Sequence, residues 1–132
     1  MSTPVPDLQF VADQCVTLVA QNFGKQLDFS VESLRELDDV CAELRSGGPL
    51  GEERHHLWWQ LVGAYTGAVL VRQGWVWIAY DEAGGPFALS RDGNTAFPFG
   101  IADRVLQGED FKTLASFGRV LATLQPDGLP RQ

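Results

Sequence analysis

The sequence predicts an α+β domain: three N-terminal helices, a three-stranded antiparallel meander, and a C-terminal helix packed on it. Three observations carry this expectation. Apolar residues recur at three- and four-residue steps through the first half of the chain, the signature of amphipathic helices. The pattern changes at Trp75–Tyr80 (WVWIAY), where aromatic and β-branched residues run together as they do in strands. Short turn-forming segments then separate three strand-like stretches, so neighbouring strands are antiparallel. Helices grouped apart from strands place the chain in the α+β class.

Residues 1–6 contain two prolines and read as a loose arm. Asp7 is placed to cap a helix ending near Phe23, with Leu8, Val11, Cys15, Leu18 and Val19 on one face and Gly24 as its stop. Ser30 is a good N-cap for a second helix, Val31 to Arg45. Leu34, Leu37, Cys41 and Leu44 form its apolar stripe, and Glu32, Arg35, Glu36, Asp39 and Glu43 lie largely off that stripe, facing water. The stretch SGGPLG, residues 46–51, is a loop. A third helix is predicted from Glu52 to Gln73, with Gly74 as terminator. Its first-turn acids, Glu52 and Glu53, suit the positive end of the helix dipole, and its second half is apolar nearly all round, marking it as the buried central helix.

After the Trp75–Tyr80 strand, residues 81–86 form a Gly-rich turn. Phe87–Ser90 (FALS) is a second strand, and Asp92-Gly93 is the preferred pair for a type I′ hairpin turn. Thr95–Phe99 (TAFPF) reads as a third strand, with Pro98 on an edge or at its end because it has no N–H to donate. A helical turn at Ile101–Leu106 and a last helix from Asp110 to Leu124 complete the order. Phe111, Leu114, Phe117 and Leu121 share one side of that helix, and residues 125–132 read as irregular. The sheet is expected to take its cover from the third helix and the C-terminal helix.

Length and composition narrow the function. The 132 residues fit one domain, spanning 1–132, and the 45% apolar and 20% charged content is that of an ordinary soluble globular protein. The formal net charge is −7 and the pI about 4.6. Ten Lys and Arg, scattered singly, make no basic stripe, which argues against nucleic acid and anionic membrane as partners and favours a basic protein. The N-terminus lacks the basic and apolar regions of a secretory signal, so a cytoplasmic location is expected.

The chemistry-bearing residues are few. Cys15 and Cys41 match no zinc or redox spacing and sit on apolar stripes. The Glu52–His56 cluster (EERHH) offers at most a carboxylate and an imidazole on one helical face, short of a zinc ligand set, so no metal or other cofactor is expected. The serines lack a nucleophile-elbow context, and adjacent acids such as Asp38/Asp39 point in different directions on a helix. No catalytic constellation emerges, which favours a non-enzymatic role. From Leu57 to Val71 there are fifteen uncharged residues before Arg72, too few for a helical membrane span.

Two features stand out. Gly63 and Gly67, four apart on the third helix, form a notch for close packing, by an element of the same chain or by a second copy in a homodimer. The pattern lacks the strand-loop context and Lys-Ser/Thr ending of a phosphate loop. The second feature is the set of four tryptophans. Trp58 and Trp59 are consecutive, so one points inward and the other lies at a boundary. Trp75 and Trp77 share one strand face and Val76 and Ile78 the other, leaving a second apolar face in need of cover. Trp59, Tyr65, Arg72, Trp75 and Trp77 are the candidate residues for binding a partner or ligand. The leading reading is a protein–protein interaction module, one concrete form being an immunity-type protein that neutralises a basic toxin. The alternative is a small-molecule binder or enzyme with a pocket between the Gly63/Gly67 helix and the sheet.

Between about residues 27 and 120 the order of features resembles an uncharacterised bacterial family of small domains. The resemblance rests on LDFSVESLRELDDV at 27–40, LVGAYTGAVLVRQ at 61–73, the tryptophans after it, and FPFGIADRVLQGED at 97–110. That family is characterised by a Gly-Ala-Tyr/Phe-x-Gly-Glu helix, a Trp-bearing strand, and a Pro followed by an amphipathic turn. Ala68 stands here where the family often has Glu, so any chemistry carried by that Glu is missing. The resemblance implies the fold order and a non-enzymatic role, and it supplies no catalytic residue.

Overall fold

The longest apolar stretch of the chain becomes its central helix, and the other elements arrange themselves around it. A computed structural model describes residues 8–48, 50–79, 87–109 and 112–123. Its elements are α1 (Leu8–Phe23), α2 (Ser33–Arg45), α3 (Glu52–Val71), β1 (Val76–Ala79), β2 (Phe87–Arg91), β3 (Asn94–Ala96), α4 (Pro98–Leu106) and α5 (Leu114–Ala122). Helix α3 packs against α1 and α4, and α2 packs against α5 and α4. Every residue of α3 from Leu61 to Leu70 is buried. The strands form an antiparallel sheet in the order β1-β2-β3. This is the α+β class the sequence predicts.

The boundaries show where local signals were overridden. The cap expected at Asp7 lies outside the described residues. Ser30 Oγ does accept the Ser33 N–H at 3.1 Å, but residues 31 and 32 make a tight turn with i→i+3 bonds, so α2 proper starts at Ser33 rather than Val31. Helix α3 stops at Val71, before the predicted Gln73. The Gly74 N–H bonds to the Val71 carbonyl and the Trp75 N–H to the Leu70 carbonyl, at 3.1 Å each, with Gly74 at φ +99°. This is a Schellman closure, and its customary apolar contact is supplied by Trp75 and Leu70, which share one buried cluster.

Strand β1 loses Trp75 to that closure, while Tyr80 and the turn at 81–86 lie outside the described residues. Asp92 and Gly93 both have positive φ, +50° and +86°, as a type I′ turn requires, and they join β2 to β3 through the Arg91–Asn94 pair. The third strand is a correction. It ends at Ala96, and Pro98 opens α4 instead of closing a strand. A proline at the first helical position has the right φ and forfeits an N–H that would find no partner there anyway. The expected helical turn at 101–106 is therefore a full helix, and Phe99 stands on a helix. The last helix begins at Leu114 rather than Asp110. Thr113 Oγ1 accepts the Ser116 N–H at 3.1 Å, and the Asp38 carboxylate of α2 accepts the Leu114 and Ala115 N–H groups at 2.7 and 3.0 Å. A residue from another helix thus sets where α5 starts. Phe111 lies outside the described residues. Leu114 and Leu121 are buried and Phe117 is half-buried, so the expected apolar side of α5 is real.

The core has two parts. The larger joins α1, α2, α3 and α4. The smaller gathers Leu70, Trp75, Leu89, Ala96 and Leu121, so α3 and α5 cover the inner face of the sheet as expected. Cys15 and Cys41 are free thiols, fully buried in the larger part. Burial pushes the Cys41 thiol up to about 12, with the Asp38 charge adding to it and Arg45 opposing; burial, and then Cys41 itself, push Cys15 further still. Neither thiolate is accessible near neutral pH. Labelling at pH 8 with a thiol-reactive chromophore should therefore be orders of magnitude slower in the folded protein than in denaturant, for both cysteines. Stoichiometric fast labelling of the native protein would contradict this packing.

Candidate functional site

The notch predicted on α3 is filled from within the chain. A Cβ built on Gly63 would collide with the ring of Phe99, and one on Gly67 with the outer edge of the Trp77 indole. Phe99 arrives on the first turn of α4 and Trp77 on β1. The two rings also meet each other at 5.9 Å between centroids, and Trp59 extends the row, 5.2 Å from Phe99. The Trp59 Nε1–H donates to the Phe99 carbonyl at 2.9 Å, tying the start of α4 to α3. Trp58 is the inward member of its pair, edge-on to Phe23, and Trp59 lies at the boundary. The pocket expected between the Gly63/Gly67 helix and the sheet is therefore occupied by Phe99 and Trp77. None of four surface hollows among the described residues is lined by either glycine.

The other candidate residues are placed as follows. Trp75 is 1% exposed, beneath the Arg91 guanidinium, and Tyr65 is fully buried, so neither presents a surface to a partner in this conformation. Arg72, just past the end of α3, holds its guanidinium 4.3 Å above the Phe29 ring. The second face of β1 is open at one end. Val76 is 61% exposed, and its row across the sheet continues through half-buried Ser90 and exposed Thr95. The aromatic surplus is thus largely core, and what faces water near it is valine.

Tyr65 does work that its position in an apolar helix hides. Its hydroxyl accepts the Phe29 N–H at 2.8 Å and lies 2.5 Å from Ser33 Oγ. The single Ser33 hydroxyl proton goes to the Ser30 carbonyl at 2.6 Å, so Tyr65 is the donor to Ser33. The chain of bonds is closed, with each buried group satisfied. It holds Phe29 at φ +63°, a left-handed conformation that costs a bulky residue about 1–3 kcal/mol. Stacking on Tyr65 at 4.9 Å helps to offset that strain. Burial, the larger effect, raises the Tyr65 hydroxyl above its usual range, and the bond it accepts from the Phe29 N–H opposes that rise. Just before it, Ser30 donates to the Asp28 carboxylate through both its hydroxyl and its N–H, which keeps that carboxyl below its usual range.

Two polar features lie on the outside. At the N-cap of α2 and along it, Glu32, Glu36, Asp39 and Glu43 follow one another at steps of four, three and four, one row along the helix. Glu32, Asp39 and Glu43 are exposed, and Glu36 is half-buried beside Lys25 at 3.3 Å. At the start of α3, His55 Nε2 meets the Asp103 carboxylate of α4 at 2.8 Å, and Gln107 Nε2 donates to both oxygens of that carboxylate at 3.0 Å. Among the described residues the cluster at Glu52–His56 contributes only this one imidazole to a polar contact between elements. Its partner is 48 residues away, and no local pattern announces it. Among the described residues no three His, Cys, Asp or Glu side chains converge as a metal site would require, and no helix is long and apolar enough to cross a membrane.

No family model, curated protein or solved structure matches the chain. The Tyr65 network makes a direct prediction. In Tyr65→Phe the part-buried Phe29 N–H loses its acceptor and Ser33 Oγ its donor, which should cost about 1–3 kcal/mol. Urea denaturation should show a lower midpoint with an unchanged slope. An unaltered midpoint would mean that the Tyr65 hydroxyl is not what holds the 28–33 turn.

Proposed function

We propose that the protein is a non-enzymatic interaction module that binds a basic protein partner, one concrete form being an immunity-type protein that neutralises a basic toxin. The observation that carries this reading is the acidic row on α2, Glu32, Glu36, Asp39 and Glu43, set on the solvent side of a helix whose other side is buried through Leu34, Leu37, Val40, Cys41 and Leu44. A rigid helix holds these carboxylates in a fixed line, so they act together on an approaching partner. Their own self-repulsion is part of the cost, and a partner with a basic ridge relieves it. In a chain of net charge −7 such a row focuses the long-range field, which speeds encounter and sets orientation more than it adds affinity. The α3 notch, filled by Phe99 and Trp77, is taken up by packing within the chain, which is consistent with this reading.

The test is capture from the native cell extract at low and moderate salt, using the wild-type chain and the Glu32→Lys/Asp39→Lys/Glu43→Lys variant. These three side chains are exposed, so the variant should fold with an unchanged circular dichroism spectrum. The wild type should retain a basic protein, less of it at moderate salt, and the variant should lose at least about tenfold in affinity, as expected where several charge pairs steer one interface. Equal retention by the variant, or nothing retained by the wild type, would defeat the proposal.

A further inference from the structure

The C-terminal end of α2, the first turn of α3 and the C-terminal end of α4 meet around a hollow of about 480 Å³, whose lining includes Arg45, Leu50, His55, Leu106, Gln107 and Gly108. Its volume is within the usual range for a small-ligand site. Arg45 is the unusual member. Its Nε is buried without a hydrogen-bond partner, and no ion pair among the described residues includes it. This occurs in a chain where seventeen acids outnumber ten basic residues. The guanidinium is also seated with care. A Cβ on Gly108 would stand 2.8 Å from Arg45 Nη1, so the position past α4 that adopts φ +76° is also one where a side chain would displace the arginine.

A helix-end role accounts for part of this. Arg45 is the basic residue in the last turn of α2, and Gly108 closes α4, so two negative helix ends lie close to the charge. That electrostatic match gives the guanidinium, which carries five donors, no hydrogen-bond partner among the described residues. The nearest carboxylate on α4 is not free to take them. Asp103 does not line the hollow and already accepts from His55 and from Gln107. The same pairing commits His55 Nε2 to Asp103 and leaves Nδ1 as the ring's spare polar atom, an acceptor in the neutral ring and a donor in the protonated one.

We propose that this hollow is a binding site for a small organic anion, whose carboxylate or phosphate group is held by Arg45. Leu50 and Leu106 take the apolar part of the ligand, and His55 Nδ1 meets a hydroxyl or an acid proton on it. The net charge of the chain opposes the approach of an anion, but that repulsion is screened beyond about 8–10 Å at physiological salt, whereas a bidentate contact to a partly desolvated guanidinium is not. The site lies on a different part of the molecule from any interior notch and does not depend on the acidic row of α2 binding a protein.

The experiment is a two-dimensional amide NMR titration of the full chain with inorganic phosphate and, separately, with acetate, against sodium chloride at matched ionic strength. Saturable shifts of the Gly48, His55 and Gly108 amides are expected with at least one oxyanion and not with chloride. The anion that saturates at the lower concentration identifies the preferred headgroup. Arg45→Gln should weaken this binding at least about tenfold, as loss of a charge-assisted bidentate contact does, while Arg119→Gln on the exposed side of α5 should leave it unchanged. Shifts that are linear, equal in chloride, centred elsewhere, or the same in Arg45→Gln would overturn the proposal. If Arg45→Gln does not fold, the wild-type shift map alone decides it.

Discussion

Two missing side chains on one buried helix set most of this structure. Gly63 and Gly67 each cost α3 roughly 1 kcal/mol in helix propensity relative to alanine. The space they leave is taken by Phe99 and Trp77, whose rings approach closer to the helix than any Cβ would allow. Those rings come from different elements, so the notch dictates where both β1 and α4 must lie. The chain meets that demand in sequence order. Gly74 closes α3 and turns the backbone, Trp75 seals the closure against Leu70, and Trp77 then falls over Gly67. The meander returns through the Asp92-Gly93 turn, Pro98 starts a helix, and Phe99 one residue later enters the notch at Gly63. Trp59 locks the arrangement by donating to the Phe99 carbonyl.

The elements whose signals are local were legible in the sequence. The stripes of α1 and α2, the all-round burial of α3, the Gly74 stop and the type I′ turn follow from periodicity and from the φ preferences of glycine and aspartate. The signals that misled were those with two local meanings. Pro98 terminates strands and opens helices equally well, and only the notch waiting at Gly63 selects the helix. The start of α5 is only half local: Thr113 caps it, and the Leu114 and Ala115 N–H groups go to the Asp38 carboxylate, 76 and 77 residues earlier, which no local pattern shows. The notch itself was visible as a Gly-x-x-x-Gly step, while its occupants were not, since nothing in an aromatic residue's neighbours states which helix it will meet.

The candidate site divides the same way. Of the predicted strand pair only Trp77 lies on β1, where Gly67 makes room for its half-buried ring, while Trp75 is buried in the closure of α3 beside Leu70. Tyr65 is a candidate binding residue in the sequence, and in the structure its hydroxyl satisfies the Phe29–Ser33 turn, 36 to 32 residues upstream. Arg72 serves the same turn from above, across the Phe29 ring. His55, Asp103 and Arg45 gain meaning only in three dimensions, where one imidazole donates to one carboxylate and an arginine lines a hollow. The charges of the protein are accordingly of two kinds. The row on α2 faces solvent, with Glu36 paired to Lys25, and Arg45 is partly desolvated and has no ion-pair partner among the described residues.

The claim that the glycine notch organises the fold is tested most directly by a double-mutant cycle between Gly63→Ala and Phe99→Ala. In the wild-type background Gly63→Ala should destabilise by about 1–3 kcal/mol, because overpacking outweighs the gain in helix propensity. In the Phe99→Ala background the ring is gone, and the same substitution should be neutral or stabilising by up to about 1 kcal/mol. A cost for Gly63→Ala that is equal in both backgrounds would contradict the account, since it would show that Phe99 is not what the missing side chain makes room for.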